Sequence, residues 1–133
     1  SEPTEDLTIS NQNITIQGFG VRNSHPVLWN AHITLASGST RFRMKDIRIN
    51  GTINGKATIT DNGSNGRHYF DNVTVTHSVA SHNNIEINGG NRWFQLWDCE
   101  VNGPVVLGGT PVGARTFTAI GSTIGNLTIG HTL

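Results

Sequence analysis

The chain has one cysteine, one methionine, four prolines and nine aromatic residues in 133, and only 14% of it is charged. A lone Cys99 closes no intrachain disulfide and brings no second thiol to a zinc site. Nine Lys and Arg balance nine Asp and Glu, so the whole chain carries no electrostatic footprint for nucleic acid or an anionic membrane. No apolar run of about 18 residues is present, which excludes a membrane-spanning helix. The first ten residues, Ser1 to Ser10, lack the basic and apolar regions of a signal peptide, and the expectation is a soluble chain. The six histidines show no H-x-H or H-E-x-x-H spacing, and no nucleophile elbow, phosphate loop or dinucleotide fingerprint occurs. No metal or cofactor is expected.

Apolar residues make up 35% of the chain, too few for a thick helical core or a doubly wound sheet, whereas Gly alone numbers 16. No segment of ten residues holds an uninterrupted helical apolar period. A different pattern recurs: an apolar residue, one variable residue, Asp or Asn, two more, then an apolar residue. It fits Ile9–Ile14, Leu28–Ile33, Met44–Ile49, Phe70–Val75 and Leu96–Val101, with a sixth version at Ile120–Ile124. Its polar positions are Asn11, Asn30, Asp46, Asn72, Asp98 and Ser122. Short alternating strands and Asn-Gly turns follow the copies. A unit of this length encloses no core alone, so the pattern predicts stacked coils, a β-solenoid of about six irregular rungs. The competing architecture is a β-sandwich, which has less reason to restate one polar residue at one place. Stacked amides in that column have a structural task, bonding from rung to rung.

The apolar-x-Asp/Asn-x-x-apolar coils resemble the right-handed parallel β-helix of pectate-lyase-like proteins and phage tailspikes. The resemblance covers about Leu7 to Leu133 as a single domain, with residues 1–6 as a linker or frayed end. It implies a fragment of a longer protein, a homotrimer, a place in the virion tail acting outside the cell, and bacterial surface polysaccharide as partner.

Residues one step from an inward apolar position face outward in a strand. That column reads Ser10, Trp29, Lys45, Asp71, Trp97 and Gly121, and three residues further on lie Asn13, His32, Arg48, Thr74 and Glu100. Flat rings beside planar polar groups suit sugars, so Trp29, His32, Arg48 and Trp97 are candidate carbohydrate contacts. Trp93 joins them, because alternation in Trp93–Trp97 turns Trp93, Gln95 and Trp97 one way and Phe94 and Leu96 the other. The alternative is that these rings pack against a neighbouring chain. For an enzyme, a polysaccharide hydrolase or lyase, Asp71 and Glu100 on adjacent rungs are the candidate acid/base pair. Three readings stay open: an adhesive tailspike or tail-fibre segment, a depolymerase, and an architectural spacer.

Overall fold

The computed structural model describes residues 4–18, 28–63, 65–90, 93–108 and 116–129. Eleven strands form in chain order: β1 (Glu5–Ile9), β2 (Ile14–Gln17), β3 (Leu28–Leu35), β4 (Phe42–Gly51), β5 (Ile59–Asp61), β6 (Arg67–His77), β7 (Ile85–Ile87), β8 (Trp93–Trp97), β9 (Glu100–Leu107), β10 (Thr116–Ile120) and β11 (Thr123–Ile129). Every pairing among them is parallel, and no helix forms among the described residues. Parallel strands joined without helices need a coil, which makes this a β-solenoid and rules out two face-packed antiparallel sheets.

Each coil has three faces. The first stacks β2, the start of β4, the start of β6, β8 and β10. The second stacks the start of β3, the rest of β4 and β6, and the starts of β9 and β11. The third stacks β1, the end of β3, β5, β7 and the ends of β9 and β11. The solenoid makes about four turns, its first face stacking five strands from β2 to β10, against the six rungs expected. The reason lies in the repeat: Met44–Ile49, Phe70–Val75 and Leu96–Val101 share the corner between first and second faces, but Ile9–Ile14 and Leu28–Ile33 cross other corners of the first coil. Those two matches therefore fall on one coil instead of marking two. Glu5 and Asp6, expected in a frayed end, already belong to β1 and pair with Ala31 and His32.

The shared corner is built by backbone geometry. Asp46, Asn72 and Asp98 hold φ of 53°, 55° and 50°, the left-handed region in which Asn and Asp are the best tolerated side-chain-bearing residues. Gly121, at φ 60°, takes the same corner in the last coil, since Ile120 pairs with Trp97 and Thr123 with Glu100. Ser122, expected there, instead sits beside Cys99 and accepts its backbone N–H at 3.0 Å. Asn30 belongs to another file: Asn50 donates from Nδ2 to Asn30 Oδ1 at 3.2 Å, and Thr76 Oγ1 donates to Asn50 Oδ1 at 2.8 Å.

Inward alternation fills the coil with one residue per rung at each file. Phe42, His68, Phe94 and Phe117 form one, and Met44, Phe70 and Leu96 the next. Phe94 lies between Phe70 and Phe117, its ring centre 5.0 and 6.1 Å from theirs, close to parallel. Ile33, Ile59, Ile85 and Val105 line the third face, all essentially fully buried. The coil closes tightly at Gly89, where a Cβ would land on the Gly63 carbonyl oxygen. Each 100 Å² of apolar surface stacked this way stabilises the rod by about 2.5 kcal/mol.

Candidate functional site

The outward files of the first face carry the exposed chemistry. Parallel register places Lys45 beside Asp71 and Asp71 beside Trp97, as the sequence pattern expects. On the second face, Arg48, Thr74 and Glu100 form the other expected file. Phe94 and Leu96 point inward and Trp93 stays 41% exposed, so the alternation read for Trp93–Trp97 also holds.

The first coil departs from the expected stripe. Trp29 pairs with Ile49, an inward position, and packs against the core. His32 is completely buried and faces the turn that links β4 to β5. Its Nε2 accepts the backbone N–H groups of Thr52 and Ile53, each at 3.0 Å. The proton therefore sits on Nδ1, which donates to the Ala57 carbonyl at 2.7 Å. Burial, helped by the neighbouring His77 and Lys56, holds the His32 pKa below the usual imidazole value, against the pull of the Ala57 bond. His32 is a clip for a turn, not a sugar contact. The reason is the shifted corner: Leu28, Trp29 and Asn30 lie on the second face, so the file above Lys45 and Arg48 continues to Gln17 and Leu28 instead.

The candidate acid/base pair is split by a corner. Asp71 lies on the first face beside Trp97, and Glu100 on the second beside Thr74. Neither lines the groove described next.

What the register brings together is a cationic and aromatic groove of about 480 Å³ on the first face, lined by Arg41, Arg43, Lys45, Arg67, Tyr69 and Trp93 among others. Arg41, Arg43 and Lys45 alternate with the buried Phe42 and Met44, so all three project from one side of one coil. Arg43 pairs with Tyr69, and Tyr69 with Gln95. Arg67 pairs with Trp93 and lays its guanidinium carbon 5.5 Å from the ring centre, a cation–π contact. Tyr69 and Trp97 lie 6.1 Å apart at 40°, and the Trp97 indole N–H donates to Gln95 Oε1 at 3.2 Å. None of the four cations is in an ion pair with a described residue. Four of the nine Lys and Arg residues thus gather on one face of an overall neutral chain. The sequence signal is Arg-x-Arg-x-Lys, an alternating cationic strand, which averaging charge over the whole chain conceals.

Asp61 and His68 also approach each other, Oδ2 to Nε2 at 3.6 Å, but both are sealed inside the coil. Among the described residues no cluster of three or more His, Cys, Asp or Glu is arranged to hold a metal ion. No protein-family model, curated protein or solved structure matches this chain.

Proposed function

We propose that this chain is a β-solenoid module that binds carbohydrate on its first face, as the adhesive part of a rod. The observation that carries the reading is the outward aromatic cluster, in which Trp93 is exposed and Tyr69 and Trp97 are half-buried. Trp93, Tyr69 and Trp97 present ring surface beside Gln95 and the Arg fork of Arg67, on a scaffold whose rungs fix their spacing. Ring faces cover the apolar faces of pyranoses, while amide and guanidinium groups bond their hydroxyls. Rigid strands hold these groups without an ordering cost at binding. The proposal extends to what the likeness to tailspike β-helices implies: a homotrimeric phage tail part whose ligand is bacterial surface polysaccharide, with three-fold repetition turning weak contacts into useful avidity.

The test is a panel of purified surface polysaccharides read by tryptophan fluorescence and calorimetry, with Trp93→Ala and Trp97→Ala as variants. Binding that falls at least tenfold in either variant, with the glycan recovered at its original length, supports adhesion. New reducing ends that disappear in Asp71→Asn or Glu100→Gln would move the reading to a depolymerase. Absence of binding to every glycan would leave an architectural spacer.

A further inference from the structure

We propose that the ligand of the first face is an acidic polysaccharide, and that Arg41, Arg43, Lys45 and Arg67 select it by its carboxylates. The inference rests on the carbohydrate reading above and adds to its rings the cations of two coils, of which Arg67 belongs to both.

Three features argue for it. Alternate residues along a strand are about 6.6 Å apart and adjacent coils about 4.8 Å apart, so the four cations form a small lattice on a flat surface. Arg43 lies in file with Tyr69, and Arg67 with Trp93, which puts a guanidinium next to a ring in two places. A sugar acid has that same pairing of an apolar ring face and an anionic edge. Second, no carboxylate of a described residue satisfies these cations, although Asp71 lies one coil away from Lys45. A planar guanidinium takes a carboxylate through two parallel N–H···O bonds, the geometry that gives Arg its preference over Lys for such groups. Third, the groove is lined from three successive coils, by Arg43 of β4, Tyr69 of β6 and Gln95 of β8, so a ligand chain lying across the coils meets all of them.

Single-stranded nucleic acid is the other polyanion that cations and rings suggest. The geometry favours the glycan. The patch spans two coils of a chain without net charge, whereas backbone-tracking grooves neutralise many successive phosphates.

The experiment uses the full chain and an immobilised panel of uronate-containing oligosaccharides, each beside its carboxyl-reduced neutral counterpart, with sulfated glycans and a dT oligonucleotide as further arms. The expected result is binding to at least one uronate member and at least tenfold weaker binding to its carboxyl-reduced form. Arg43→Gln and Arg67→Gln should each lower affinity for the acidic member about tenfold, whereas Lys56→Gln, on the third-face turn, leaves it unchanged; circular dichroism verifies that each variant folds. Equal binding of acidic and reduced forms, insensitive to Arg43→Gln, overturns the acidic specificity and leaves the carbohydrate reading standing. Tighter binding to sulfated glycans or to dT overturns the carboxylate assignment. Binding to nothing on the panel overturns both readings together.

Discussion

Asn72 donates from Nδ2 to Asp46 Oδ1 at 2.9 Å across adjacent coils, and both residues hold left-handed backbones at the same corner. Two demands meet there: a positive φ, which resets the strand so that Lys45 faces out and Ile47 in, and an amide or carboxylate that bonds to the next rung.

Separating those demands is the first test. Asn72→Gly keeps the backbone free and loses the bond, so it costs about 1 kcal/mol. Asn72→Val loses both, and a β-branched residue at positive φ adds strain, for a total of about 2–4 kcal/mol. Urea unfolding of the two variants checks the order; equal losses would show that backbone conformation is not what Asn72 supplies.

A second expectation concerns pH. His32 binds its proton less readily when folded than the free imidazole, whose pKa is about 6.5. The unfolded chain therefore holds more protons below that value, so the His32 contribution is complete above pH 6.5 and declines as pH falls through and below it. Protonation also converts the Nε2 acceptor of Thr52 and Ile53 into a donor facing two donors. The thermal midpoint should drop between pH 8 and pH 5, and the amides of Thr52 and Ile53 should exchange faster with solvent at the lower pH once intrinsic rates are divided out. A midpoint that rises on acidification would contradict the neutral clip.

Cys99 is buried, and burial pushes its thiol pKa up to about 11. Thiolate, not thiol, reacts with disulfide reagents. Ellman's reagent at pH 8 should therefore leave Cys99 unmodified in the native protein for hours and titrate it at once in denaturant. Immediate native reaction would mean that the second-face corner opens readily.

Phe94 connects two other rings of its stack, so Phe94→Ala should cost about 3–5 kcal/mol, a large share of the stability of a small domain. Calorimetry should show either a midpoint depressed by more than 10 °C or no cooperative transition. A loss below 1 kcal/mol would show that this part of the rod is not tightly stacked.

Much of this architecture is written in the chain at short range. The three copies at Met44, Phe70 and Leu96 show the coil because each crosses one corner, and simple alternation suffices to turn Trp93 outward and Phe94 inward. The first coil was not legible by the same rule, since Ile9–Ile14 and Leu28–Ile33 match the pattern at different corners. That displacement puts Trp29 on the core and His32 beneath a turn. The functional face was half legible. Its two tryptophans sit in one strand and announce themselves, but Arg67 and Tyr69 reach Arg41 and Arg43 only by stacking 26 residues along the chain, the interval by which Arg43 pairs with Tyr69.

The stacking itself is open to direct measurement by NOE spectroscopy on isotope-labelled protein. The account predicts side-chain contacts linking Arg67 to Trp93 and Tyr69 to Trp97, with the sequential-rung pattern of parallel strands along β4, β6 and β8. Close Hα–Hα contacts between those strands, the mark of antiparallel pairing, together with no Arg67–Trp93 contact, would contradict it.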